Sequence, residues 1–345
     1  MIIAIRFPRH GIAQIKQSLT NGELRDLVYN HLLIIDNNGS QIPDEIKPLL
    51  KEILDWEKAP LSDEDHVAIS ETIELYWDKT EAVSVVHILK LPLFQVGRKN
   101  IEPTCDLLWS VEPIPANPIW VGPLVTPKTD AHYGFARGAF TIEELAVVFC
   151  PEMKPYCMPT SSNIFPSFLI EVKSEATSGT IHKAESQLVV AGAHRSNSML
   201  HLMEIGCPDT QFTVSHSVVF SLALSSRLAV AYVNFYNPDT QRFCMSFLES
   251  FYLVKEEEQS KLATYVSNVM DWLTTKQLEL VKQVLKRLED TLPDRQLQLR
   301  EGPPPLKLSR NDPADAYHHL SAKELRAELG ANDASAMIGD NENPE

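Results

Sequence analysis

Glu171-Val-Lys173 carries the clearest chemical possibility in the chain. It closes an apolar run, Phe165-Pro-Ser-Phe-Leu-Ile170, and in an extended strand residues 171 and 173 project to the same side. A carboxylate and an ammonium then share one face at the polar rim of a sheet. That pair suits metal-assisted hydrolysis of a phosphodiester. A hard cation, Mg²⁺ or Mn²⁺, takes oxygen ligands and keeps waters, while a lysine orients the attacking water and offsets charge on phosphorus. The acid-x-Lys pattern also occurs at Glu45-Ile-Lys47 and Glu152-Met-Lys154, but only the 171–173 copy ends an apolar strand. A strand-end pair that merely solvates the rim satisfies the same spacing.

One carboxylate is not enough for such a cation, so a second must come from elsewhere. Asp130, in Thr126-Pro-Lys-Thr-Asp130, is the leading candidate, and an Asx-turn or cap is its other reading. Glu152 ranks below it because it lies in a proline-rich stretch. On the helix that follows, Lys183, Glu185 and Gln187 are spaced either to support a metal or phosphate at the sheet rim or to form a solvated face. His182, His194 and His216 lack ligand spacing and read as structural or solvated, and Trp109 and Trp120 as packing.

These residues need a scaffold, and the hydrophobic pattern supplies one. Residues 1–100 read as a helical N-terminal region. One helix starts at Ile42-Pro43-Asp44, a second near Ser62 with Asp63, Glu64 and Asp65 in its first turn, and the Val-rich 82–91 is helix or strand. Six prolines between 101 and 130 forbid a long helix there. Thr141-Ile-Glu-Glu144 is a capping box. After the strand ending at Lys173 and a polar loop, 180–204 reads as a helix. Then come three strand-like runs, 217–224, 227–236 and 243–254, with short antiparallel joins, and a long amphipathic helix, 256–292. A single core ending in the long helix is therefore expected over 101–295. Residues 296–345, with Pro303-Pro-Pro305 and an acidic, Ala- and Asn-rich composition, read as a disordered tail with a short helix at 321–329.

Composition narrows the function classes. The 345 residues carry 31 basic and 46 acidic side chains, a net charge of −15. No basic block supports sequence-independent gripping of DNA or a nuclear import signal. Five scattered cysteines without a Cys-x-x-Cys pair exclude a zinc finger and a disulfide framework. No apolar run approaches the ~20 residues that span a bilayer. Met1-Ile-Ile-Ala-Ile-Arg6 is too short for a signal-peptide core. An intracellular protein without a membrane segment is expected, nuclear or cytoplasmic undecided.

Asp130, the 165–173 run and Ala184-Glu-Ser-Gln187 together resemble the PD-(D/E)XK nuclease superfamily, and more narrowly a group of fungal nuclease-like domains of unknown biological role. The resemblance lies in Pro127-x-x-Asp-x-x-Tyr-Gly-Phe135, in Glu171-x-Lys-Ser174 and in the Ala-Glu-x-Gln opening at 184–187, and it covers roughly residues 100–292. It implies an α/β fold, a mixed central sheet flanked by helices as in restriction endonucleases. It also implies Asp130, Glu171 and the Val172 carbonyl as metal ligands, Lys173 as catalytic lysine, Glu185 and Gln187 in support, Mg²⁺ or Mn²⁺ as cofactor and DNA as substrate. Thr129 stands where the superfamily's name has proline, and the long gap from Asp130 to Glu171 requires an insertion. The competing expectation is a catalytically inactive fold of this kind serving as a binding module, with a protein partner open. A basic cleft around Lys173 favours the enzyme, an acidic or apolar one the module.

Overall fold

The computed structural model describes residues 33–57, 61–76, 79–94, 98–115, 124–174 and 179–291. The expected tail at 296–345, its helix at 321–329 and Trp120 lie outside these. In chain order the elements are β1 (Leu33–Asp36), α1 (Lys47–Ile53), α2 (Asp63–Tyr76), α3 (Glu81–Ile88), β2 (Ile101–Cys105), β3 (Ala131–Phe135), α4 (Ile142–Phe149), α5 (Lys154–Cys157), β4 (Ile164–Val172), α6 (Ile181–Gly206), β5 (Val219–Leu224), β6 (Leu228–Asn237), β7 (Arg242–Tyr252), α7 (Glu256–Trp272) and α8 (Leu278–Thr291). A π-helical turn, Leu273–Gln277, joins the last two.

Among the described residues, seven strands form one mixed sheet in the order β1-β7-β6-β5-β4-β3-β2. The pairs β1–β7 and β4–β5 are parallel, and the others antiparallel. The fold is thus α/β, with helices on both faces. Period-two alternation divides the apolar residues between those faces. Phe168, Ile170, Phe220 and Leu222 join Leu262, Tyr265, Val266 and Val269 of α7 in one core. Leu169, Val219, Ala223 and Tyr232 join Ala184, Leu188 and Ala191 of α6 in the other. Every residue of β4 and β5 is buried, as the continuous apolar runs anticipate.

Of the N-terminal region expected to be helical, residues 1–32 lie outside the described residues; within 33–94, α1, α2 and α3 are helices, and 81–88 resolves as helix. Polar residues of this region join it to the rest of the core. His66 Nδ1 lies 2.6 Å from Gln259 Oε1, and Gln259 Nε2 donates to the Leu253 carbonyl at 2.7 Å. The region also supplies an unexpected strand, β1. The Asp36 carboxylate at its end accepts from Gln41 N at 2.8 Å and from Ser246 Oγ of β7 at 2.9 Å. Burial alone would raise the Asp36 pKa, but these donors outweigh it and lower the value. The strand escaped the sequence reading because four residues are too few to show a period.

The caps form as the sequence dictates. Ser62 Oγ accepts from Asp65 N at 3.2 Å, and Thr141 and Glu144 exchange both bonds of the capping box. The long insertion between Asp130 and Glu171 is α4 and α5.

The α6 helix approaches the sheet closely at Gly192, where a Cβ would overlap the side chain of Asn234 on β6. Asn234 is itself held by Ser221 Oγ at 2.8 Å. Gly192→Ala is therefore expected to cost about 1–3 kcal/mol by urea unfolding, despite the better helix propensity of alanine. In an Asn234→Ala background the same substitution should cost less. Equal costs in both backgrounds would show that this contact is not the constraint.

Candidate functional site

The site forms where β3 begins and β4 ends. These strands are antiparallel, with Ala131 opposite Ile170, so Asp130 meets Glu171 although 41 positions separate them. Asp130 and Glu171 have the parity of His132 and Leu169, and Lys173 continues that of Glu171. At the strand's end, Gly179 lets the chain fold back to start α6, since a Cβ there would stand 2.7 Å from the Ser174 carbonyl oxygen.

The geometry is tight. Lys173 Nζ lies 2.6 Å from Glu171 Oε1 and 4.0 Å from Asp130 Oδ2. Asp130 Oδ2 accepts the Val172 N–H at 2.7 Å, and Glu171 Oε2 accepts the Asp130 N–H at 3.3 Å. A further acid that the sequence reading did not single out completes the group: Glu81, in the first turn of α3, lies 3.1 Å from Lys173 Nζ. Ser174 Oγ donates to the Lys79 carbonyl at 2.5 Å and ties the same segment down. Nothing local in the sequence marks Glu81, because its relevance comes from helix packing across 92 positions.

Burial grades the three groups. Side-chain exposure is 1 % for Glu171, 5 % for Lys173 and 17 % for Asp130, so Asp130 is the more open of the two strand-end carboxylates, and Glu81 on α3 is more open still. Burial first, and the Asp130 charge second, push Glu171 up to about 8 despite Lys173. Burial also raises Asp130, with Glu81 and Asp106 adding to the effect against Lys173. For Lys173, burial works against the ammonium, but Glu171, Asp130 and Glu81 outweigh it and raise its pKa. Three carboxylates thus surround one ammonium, and the group carries excess negative potential.

The other expected site residues are placed differently. Glu185 is buried and accepts from Tyr232 Oη at 2.7 Å, with His182 Nδ1 at 2.8 Å, while Gln187 is exposed on α6. At Val172 the contact seen is its N–H to Asp130. His194 is buried, its Nε2 2.8 Å from the Ser110 carbonyl oxygen, and it stacks edge-on with Trp109.

Among the described residues no three His, Cys, Asp or Glu side chains are grouped to hold a metal ion unaided. The donor set is nevertheless all oxygen, with two carboxylates joined at the strand ends and negative charge in excess. That composition fits a cation such as Mg²⁺, which takes one or two carboxylates and completes its shell with water or substrate phosphate. No described helix is long and apolar enough to cross a membrane.

A family model described as Domain of unknown function (DUF7924) matches residues 34–285. The match runs from β1 into α8 and contains Glu81, Asp130, Glu171 and Lys173. No curated protein matches the chain.

Removing Lys173 strips a buried carboxylate of its counter-charge. Lys173→Met is expected to cost about 3–5 kcal/mol of stability. Glu171 is already pushed up to about 8 with Lys173 present, so both proteins lose stability alike as pH rises from about 5 to about 8. Without Lys173 it stays protonated in the fold beyond that point, so the deficit should be level up to about 8 and grow from about 8 to about 10. The Glu171→Gln/Lys173→Met double variant should recover part of the loss. Urea unfolding across that pH range checks this, and a deficit independent of pH would contradict it.

Proposed function

We propose that this chain, which belongs to the DUF7924 family, is a metal-dependent nuclease of the PD-(D/E)XK type that hydrolyses phosphodiester bonds, with DNA as the first substrate to test. The observation that carries the reading is the convergence of Asp130, Glu171 and Lys173 from two strand ends into one cluster, with Lys173 Nζ at 2.6 and 4.0 Å from the two acids. Asp130 and Glu171 would hold Mg²⁺ or Mn²⁺, with the Val172 carbonyl as a further ligand. When bound, the ion supplies Lewis-acid polarisation of the phosphoryl group and a more acidic water.

The chain's own residues have distinct tasks in this reading. Lys173, flanked by carboxylates, keeps its proton, so it acts as a hydrogen-bond donor and fixed positive charge. It positions the attacking water and offsets charge on the phosphorane. Water oxygen bonds to phosphorus as the bond to the leaving oxygen breaks; the attacking water gives up a proton to bulk water, and the leaving oxygen takes one from bulk water. The Val172 N–H fixes Asp130, and Glu81 fixes Lys173 from the opposite side. Glu185, anchored to Tyr232, supports the start of α6 rather than the reacting atoms.

A second reading rests on a specific observation. The surroundings of Lys173 are acidic, and its ammonium is already matched by Glu171 and Glu81. A nuclease-like fold that no longer cuts and serves as a binding module has the same charge balance without a metal.

Incubation of plasmid, single-stranded DNA and RNA with Mg²⁺ or Mn²⁺ separates the two. The enzyme reading expects metal-dependent cutting that falls by about 10²–10³-fold in Asp130→Asn and in Lys173→Gln, each assayed below its melting temperature. A folded wild type that cuts none of these and takes up no Mn²⁺ in calorimetry would end that reading in favour of the module.

A further inference from the structure

A cavity of about 930 Å³ opens beside the cluster, between α3 and the β2–β3 edge of the sheet, and Asp130 and Glu81 form one end of it. That volume lies toward the upper end of the ~300–1,000 Å³ usual for small-molecule sites. Its walls are mainly apolar: Val85, Val86 and Leu89 on the helix side, Ile101, Pro103 and Tyr133 on the sheet side. Tyr133 Oη donates to the Phe94 carbonyl at 3.2 Å, so its hydroxyl is engaged within the protein. Val86 is 50 % exposed, an apolar side chain left for something else to cover.

Two cations line the same cavity, and they are not equivalent. Arg98 is committed to Asp271, at 2.6 Å. Among the described residues the Lys90 ammonium makes no ion pair, and its side chain is exposed. The cavity therefore combines apolar walls and the unpaired charge of Lys90 with three carboxylates, Glu81 and Asp130 of the cluster and Asp106, which is matched by Lys128 at 2.6 Å.

We infer that this cavity receives an unstacked nucleobase, with Lys90 on an adjacent phosphate, so that nucleic acid reaches Asp130 as a single strand. A duplex keeps its bases stacked inside and presents phosphates, and the walls between Val86 and Pro103 offer phosphates nothing. A base freed from its stack supplies the flat apolar surface these walls lack, and its own phosphate reaches the rim. The inference deepens the proposed function by naming the strand form of the substrate. It rests on that reading only in taking nucleic acid as the ligand.

Fluorescence anisotropy of a labelled oligothymidine and of a duplex of equal length, in EDTA, tests it without turnover. Single strand should bind about tenfold tighter than duplex. Val86→Trp, which fills the slot from an exposed position, should abolish that preference. Lys90→Glu should weaken single-strand binding several-fold and flatten its salt dependence, and circular dichroism verifies that both variants are folded. Equal affinity for the two forms, no binding of either, or a preference that survives Val86→Trp would overturn the inference. Metal-dependent cutting that persists after such a result leaves the nuclease reading standing. Single-strand binding lost in Val86→Trp, in a protein that never cuts, leaves the slot standing and removes the nuclease.

Discussion

An ammonium group taken out of water must be matched by negative charge, and at Lys173 that requirement joins three parts of the chain. Glu171 comes from the same strand, Asp130 from the start of its antiparallel neighbour, and Glu81 from a helix that precedes both by tens of residues. The isolated cost of burying such charges is several kcal/mol each, and it is recovered only where geometry is close and the remaining lone pairs find donors. Here the Val172 and Asp130 N–H groups supply those donors. The strand register, the turn at Gly179 and the docking of α3 all serve this match. A slip of one residue between β3 and β4 would point one partner to the opposite face.

The rest of the scaffold explains why the cluster can be so precisely placed. The strands behind it are buried on both faces, with α6 closing one side and α7 the other. The helices before residue 100 are not an appendage. The His66–Gln259 bond and the seating of β1 along β7 bind them to the C-terminal half. Glu81 reaches Lys173 because α3 is held in that arrangement. A site assembled from residues 81 to 173 thus depends on contacts made beyond residue 240, and stability and site geometry are linked through the whole chain.

How much of this was legible follows from the range of the forces involved. Caps are local, so Ser62, Thr141 and Glu144 announced their helices in the sequence. Apolar runs and turns likewise announced β4 to β7 and the helices α6 to α8. The site was legible as far as it lay on strands, since Glu171 and Lys173 share a face by spacing and Asp130 precedes a strand. Glu81 was not, because a helix-borne acid looks solvated until the packing of its helix is known. The same holds for Arg195, a fully buried guanidinium whose companion is the Phe165 ring, 4.8 Å below it. Nothing near it in sequence marks it as an interior residue. Glu185 had the right helix but a different partner, because only the sheet register shows Tyr232 within its reach.

Charge ties the proposed chemistry to the order in which its parts can assemble. Three carboxylates around one ammonium repel phosphate, and the protein as a whole carries −15. A polyanion therefore cannot be drawn to Asp130 by the field of the bare protein. On the proposed reading, a divalent cation held by Asp130 and Glu171 would offset this negative charge, so cation and substrate would reinforce one another at the strand ends, while the cavity beside α3 takes a base without it. Attraction of the substrate then falls to short-range contacts, the apolar walls beside α3 and the single uncommitted charge of Lys90, rather than to a basic groove. Such a site discriminates by what fits the slot more than by how much phosphate a molecule carries, and that is the consequence of building it at the acidic end of a buried sheet.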